Sequence, residues 1–188
     1  MILPINTYND AVLKQKAAPI KTMDAELSQL IDDMFETMYA ANGVGLAAPQ
    51  IGKSIRLFVI DADVMIEDDD PDADRKRIGP TAFINPVITH FSAEKVIMDE
   101  GCLSLPDLRE AVTRPEKLTI EYLDASFEKQ VLEADDWLAR VIQHEFDHLE
   151  GVLFFERLGS FKQRLLKSKL DAIASGEVHP EYVTAPKA

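Results

Sequence analysis

The sequence predicts an α+β domain, with antiparallel or mixed β-sheets packed around a central helix. One further helix precedes the sheets and another follows them. Three observations predict this. Apolar residues recur at helical spacing near residues 24–41, 135–150 and 160–174. Short β-branched and aromatic runs, separated by Pro and charged residues, fill the middle. The strands cluster instead of alternating with helices, which disfavours an α/β sandwich. A chain of 188 residues is one domain's worth and buries roughly 70% of its unfolded surface without any disulfide scaffold. The expected organisation is a single domain over 1–176 and a loose C-terminal tail over 177–188, which contains two prolines.

The first helix is expected from about Asp24 to Ala41. Leu27, Leu30, Ile31, Met34, Phe35 and Met38 share one face, Asp24 or Thr22 can cap the start, and Asn42-Gly43 supplies the stop. Core packing accounts for this stripe better than a ligand pocket does. Strands are expected at Ile55–Ile60, Thr81–Thr89, Phe91–Met98, Lys117–Leu123 and Gln130–Ala134. Between the first two, Asp61 to Asp74 holds eight acidic residues, and the segment closes on Arg75, Lys76 and Arg77. Its spacing lacks the alternate ligands and central glycine of a calcium loop, so a solvated loop insertion over 61–77 is expected. The second helix runs from about Asp135 to Glu150 with Gly151 as its stop, Val152–Phe155 is a short apolar piece, and the third helix spans Ser160 to Ala174.

Lys plus Arg number 20 and Asp plus Glu 33, a net charge of −13. That balance argues against a protein that coats nucleic acid, and DNA in particular, by charge alone, though it leaves room for a local basic face. No apolar run approaches the roughly 20 residues of a membrane span, and the start has no signal-peptide pattern, so a cytoplasmic location is expected. The single cysteine, Cys102, excludes an internal disulfide framework.

The sharpest chemical signal is His144-Glu145-Phe146-Asp147-His148. Histidines at i and i+4 on a helix lie one turn apart on one face and can grip one metal ion. Glu145 points about 100° around the helix, beside the ligands, where a general base for metal-activated water belongs. A surface helix carrying this pattern by chance is the plain alternative. An open catalytic site needs a third ligand. Phe154 stands where the extended peptidase motif needs a histidine. Glu177 and Glu181 lie in the tail, while His90 and His179 lack supporting context. Cys102, flanked by Gly101 and followed by Pro106, is a further candidate beside those glutamates, since a thiolate and two imidazoles form a recognised set, although a lone cysteine is more often an inert small hydrophobe. The glycine-rich Gly43-Val44-Gly45 stretch follows a helix, so a dinucleotide loop is a weak reading. Close backbone approach to a substrate fits better, with Gln50 as a neutral donor for a developing oxyanion.

Taken together, Gly43-Val44-Gly45-Leu46-Ala47-Ala48-Pro49-Gln50, Glu100-Gly101-Cys102-Leu103-Ser104 and Gln143-His144-Glu145-Phe146-Asp147-His148-Leu149-Glu150-Gly151 resemble the three signature motifs of the peptide deformylase family, in order. The resemblance implies a bacterial-type, metal-dependent amide hydrolase that removes the N-formyl group from N-formylmethionyl nascent peptides and releases formate. It implies one divalent ion held by Cys102, His144 and His148: Fe(II) in the cell, with Zn, Ni or Co able to substitute. It further implies attack by metal-bound water with Glu145 as acid/base, and an oxyanion met by Gln50 and the Leu103 N–H. Gly43, Val44, Gly45, Leu103, Arg109 and Val141 would contact substrate. Asp147 and the Glu100/Arg109 pair are candidates for orienting the ligands or pocket. The basic run within 161–170, Lys162, Arg164, Lys167 and Lys169, could approach ribosomal RNA or be a plain solvated face, with Leu165, Leu166 and Leu170 turned to the core. A His-Glu-x-x-His metallopeptidase and a non-catalytic, metal-binding ribosome-associated protein are the competing readings.

Overall fold

The computed structural model describes residues 1–65 and 77–187. Most of the acidic insertion expected over 61–77 therefore lies outside the described residues. Its described start is not a solvated loop, because Ala62–Met65 forms a short 3-10 helix and Asp61 is buried. Asp61 accepts a hydrogen bond from the Tyr39 hydroxyl at 2.6 Å, and Asp63 accepts from the Gly79 N–H at 2.8 Å.

Helix α1 spans Ala25–Ala40, as its apolar stripe predicts. The Asp24 carboxylate caps it by accepting from the Leu27 N–H at 2.8 Å, which satisfies one of the open donors of the first turn. Among the described residues seven strands follow: β1 Gly45–Ala47, β2 Leu57–Ile60, β3 Thr81–Phe91, β4 Lys95–Cys102, β5 Leu105–Pro115, β6 Leu118–Leu123 and β7 Lys129–Ala134. The pairings between these strands are all antiparallel, and β1-β2-β3-β6-β7 form one sheet while β4-β5 form a separate hairpin. Helix α2 spans Asp136–Leu149 and packs against β1 and β2; helix α3 spans Ser160–Ala174 and packs against β5. This is the α+β arrangement the sequence predicts, with α2 at its centre.

Four expectations change. The strand expected at Phe91–Met98 is two strands, because the chain turns at residues 92–94 between β3 and β4. Strands β1 and β5 carry no adequate local signal and arise from pairing. Leu165 is exposed with Phe161, one turn away on α3, while Leu166, Leu170 and Ile173 face the core. Finally, residues 183–187 of the expected tail are docked rather than loose. Ile5 and Thr184 form a parallel bridge, with Ile5 N–H donating to the Val183 carbonyl and Ala185 N–H to the Ile5 carbonyl, both at 2.9 Å. The Lys187 ammonium donates to the Tyr8 carbonyl at 2.6 Å and the Thr7 carbonyl at 3.1 Å. Backbone pairing with the N-terminal segment overrides the proline-rich composition.

Apolar burial positions α2. One core cluster joins its Leu138, Ala139, Val141, Ile142 and Leu149 to Phe58, Ile60, Phe83 and Ile120 of the sheet. A second joins α1 to Leu46, Leu57, Val59 and Ile84 on the other sheet face. Gly151 ends α2 at φ 72°. A Cβ there would also come within 2.7 Å of the Lys14 carbonyl oxygen, so this stop requires glycine twice over. No helix among the described residues is long and apolar enough to cross a membrane.

Candidate active site

The buried face of α2 carries charge. Arg140, Gln143, His144, Glu145, Asp147 and His148 are all buried, which soluble helices tolerate only when such groups are paired or put to use. Cys102, at the end of β4, meets this face. The β4–β5 register shifts between Gly101 and Cys102, so Cys102 pairs with Leu105 across a two-residue turn. One ligand atom from each of Cys102, His144 and His148 lies within 4.8 Å of the others, and Cys102 Sγ is 3.3 Å from His148 Nε2. The fold thus joins the thiol and the two imidazoles that the sequence singles out.

His144 directs Nδ1 to the Glu100 carboxylate at 2.9 Å, leaving Nε2 as its remaining ring donor atom. A carboxylate behind a ligating imidazole fixes ring orientation and tautomer. Glu100 is not paired with Arg109, contrary to expectation. It accepts from Arg114 Nε and Nη2 at 2.6 and 2.9 Å and from Arg140 Nη1 at 2.7 Å. The cross-strand register sets Arg109 opposite Gly101, and Arg109 is exposed with its chain lying over that glycine. Asp147 accepts from Arg114 Nη1 at 2.7 Å and also pairs with Arg157. Arg114, only 1% exposed, therefore ties the residue behind His144 to the residue before His148.

Burial pushes Glu145 up to about 7; the neighbouring His144 imidazole opposes this and the charge of Glu100 adds to it. Burial would also raise Glu100, but hydrogen bonds from Arg114 and His144 hold it well below the usual carboxylate range. Burial lowers His144, yet the adjacent Cys102 and Glu100 outweigh it and raise that imidazole well above its ordinary value. His148 is driven well below, by burial and by the charges of His144 and Arg114. Glu145 Oε2 and His148 Nδ1 are buried without a hydrogen-bond partner among the described residues. A thiol, two imidazoles and an unpartnered carboxylate oxygen beside them suit a divalent ion with an open position.

Gln50 is held by its own loop. Ala47 N–H donates to Gln50 Oε1 at 2.8 Å, so Nε2 faces the cysteine turn, where it donates to Ser104 Oγ at 3.2 Å and sits 3.6 Å from Cys102 Sγ. Gly45 lies against Glu145: a Cβ on it would come within 2.7 Å of Glu145 Cδ and 2.8 Å of Cγ, and nearer still to Oε1. At Gly43 a Cβ would come within 2.9 Å of Leu103 Cδ1. Val44 is half-buried against the core cluster that contains Val141, and its carbonyl accepts from the Asp61 N–H at 2.9 Å. His90 and His179 are exposed and do not belong to this cluster. Sequence reasoning misses Arg114, Arg140, Ser104 and Tyr182. Arg140 is findable, since it sits four residues before His144 on the buried face of an amphipathic helix.

The polypeptide deformylase family model matches residues 2–164. The chain is 46% identical over 187 residues to a peptide deformylase of Salinibacter ruber, covering 100% of this chain and 96% of that protein. It is 47% identical over 188 residues to one of Chlorobaculum parvum, again covering 100% of this chain and 96% of the relative. The crystal structure of peptide deformylase from Ehrlichia chaffeensis superposes with a TM-score of 0.84 at 37% identity, covering 94% of this chain and 97% of that one. The peptide deformylase of Thermus thermophilus superposes at 0.81 with 41% identity, covering 94% and 100%. With a family match across most of its length and such relatives over all of it, this chain belongs to the polypeptide deformylase family.

Proposed function

We propose that the chain hydrolyses the N-formyl group of N-formylmethionyl nascent peptides and releases formate. The observation that carries this reading is the meeting of Cys102, His144 and His148 next to a buried carboxylate, Glu145, with one oxygen free. These three residues would hold a divalent ion. When bound, the ion supplies a Lewis acid that lowers the pKa of a water from near 16 towards roughly 7. Glu145 takes the proton of the attacking water, and its raised affinity for a proton matches work near neutrality. The formyl oxygen gains negative charge as the carbon becomes tetrahedral, and Gln50 Nε2 and the Leu103 N–H donate to it. Glu145 then hands its proton to the leaving amine.

Gly43, Val44 and Gly45 present backbone to the peptide. Val44, Leu103 and Val141 wall the methionine side chain, whose thioether suits irregular apolar space. Arg109, exposed beside the cysteine turn, meets the peptide beyond the methionine. Ferrous iron is the expected ion in a reducing cytoplasm, with zinc, nickel or cobalt able to take its place. The basic face of α3, exposed together with Phe161 and Leu165, is a candidate contact with the ribosome, although Lys162 and Lys167 already pair with Glu110 and Asp171.

The test is formate release from a formyl-methionyl peptide by metal-replete protein, with Glu145→Ala as control. Release that depends on Glu145 supports the reading; no release from the wild-type protein defeats it. Co-sedimentation with ribosomes that survives charge reversal at Lys162, Arg164, Lys167 and Lys169 would remove the α3 contact alone.

A further inference from the structure

Both proposed oxyanion donors depend on one turn. Leu103 and Ser104 are the two residues between β4 and β5. Leu103 carries one donor on its own backbone, and Ser104 Oγ accepts from Gln50 Nε2, which carries the other. The peptide unit between the two central residues of such a turn lies outside the strand ladder. It rotates more readily than its neighbours unless something outside the hairpin holds it.

Two outside groups grip this turn. The Ser104 carbonyl accepts from the Tyr8 N–H at 2.9 Å, and the Leu103 carbonyl accepts from the Tyr182 hydroxyl at 2.6 Å. The second bond grips the central peptide unit itself. Tyr182 sits next to the segment that bridges Ile5 and is half-buried against the same core cluster as Leu103. Its own backbone is thus anchored by Val183, Ala185 and Lys187, all bonded to the N-terminal segment. The Leu103 side chain is fixed from another direction, since the absence of a side chain at Gly43 leaves room for its Cδ1.

We propose that Tyr182 is a positioning residue for the deformylation reaction, its hydroxyl holding the Leu103–Ser104 turn in the conformation that aims the Leu103 N–H and Gln50 Nε2 at the formyl oxygen. The proposal rests on the functional reading above. It assigns the docked C-terminal segment a catalytic consequence, although no residue of that segment contributes a ligand or an acid. A phenol is suited to this: it reaches across a half-buried gap, donates one bond and brings no charge near the thiol and imidazoles.

The test is Tyr182→Phe, which removes one oxygen and keeps the ring. Complete loss of an oxyanion donor costs about 10²–10³ in rate, so loosening both by one missing bond is expected to cost about 10-fold in kcat. KM for a formyl-Met-Ala peptide should change by less than about twofold, metal content should match the wild type, and the thermal midpoint should fall by only the few degrees that one lost hydrogen bond gives. Amide hydrogen exchange across residues 102–105 of the same variant should quicken about 10-fold. A variant with wild-type kcat, or with wild-type exchange at the turn, overturns the proposal. A lowered thermal midpoint with kcat intact does the same, since it assigns Tyr182 a purely structural role. If the wild-type protein releases no formate, the functional reading falls by itself, and the exchange comparison still decides whether Tyr182 holds the turn.

Discussion

Gly45→Ala should separate the proposed acid/base group, Glu145, from everything around it. The methyl group added on β1 would lie 2.7 Å from Glu145 Cδ and 2.8 Å from Cγ. Ordinary carbon–carbon separations are about 3.5–4.0 Å, so the carboxylate must retreat by about 1 Å or β1 must lift from α2 by a similar amount. A misplacement of about 1 Å can cost about 10²-fold, equivalent to about 2.7 kcal/mol in the barrier. The backbone gives no second reason for loss, because Gly45 is not among the residues at positive φ. The atoms nearest the new methyl group all belong to Glu145, so ion content should stay at the wild-type level. The assay pairs formate release with metal analysis and thermal unfolding. A Gly45→Ala enzyme whose kcat lies within twofold of wild type would refute the reasoning, as would a loss explained wholly by missing metal.

Three further outcomes are expected. Arg114→Met removes the cation that joins the buried carboxylates of Glu100 and Asp147, leaving them only Arg140 and Arg157, and breaking such a network costs about 3–5 kcal/mol in urea unfolding near neutral pH. Glu100 is held below its ordinary value, so its contribution is complete above about pH 5 and fades as pH falls towards that lowered value; the gap between wild type and variant should narrow in acid. Gly151→Ala forces a methyl group onto the Lys14 carbonyl at positive φ and should lower stability by about 2 kcal/mol, read from denaturant midpoints. Cys102→Ser should retain little ion after dialysis and lose formate release with it. Treating wild-type protein with a chelator should produce the same loss, reversed by adding a divalent cation.

How legible the molecule is in its sequence depends on whether a feature is local. Helix α2 and its two candidate ligands are legible because the i, i+4 spacing of His144 and His148 is a property of one helix. Helix α1 is legible through its stripe and its Asp24 cap. Strand β5 is not, because Leu105–Pro115 has prolines near both ends and four ionisable side chains, and its residue Asp107 sits at φ 61°. It becomes a strand only by pairing with β4. Arg114 is silent for the same reason: the register opposite Val96 delivers it between Glu100 and Asp147, which lie on different elements. The exchange of Arg109 for Arg114 as a partner of Glu100 is a register effect that no local spacing encodes. The tail misleads through its prolines, since its order comes from hydrogen bonds to residues almost the whole chain away.

That last pairing bears on how the molecule comes into being. Ile5 and Thr184 are neighbours in space but far apart in sequence, among the least local contacts of the described residues. Loop closure of that length carries an entropy cost that nearby contacts avoid, which favours their forming first. During synthesis the sheet and α2 can assemble while the bridge still lacks its second partner, because residue 184 must clear the exit tunnel before it can reach Ile5. The Tyr182 bond to the cysteine turn is set by the same event. An enzyme whose proposed substrates are nascent chains would then pass through its own nascent stage with its candidate ligands gathered but the turn unlatched. Full activity would come on only when Tyr182 and the residues after it dock.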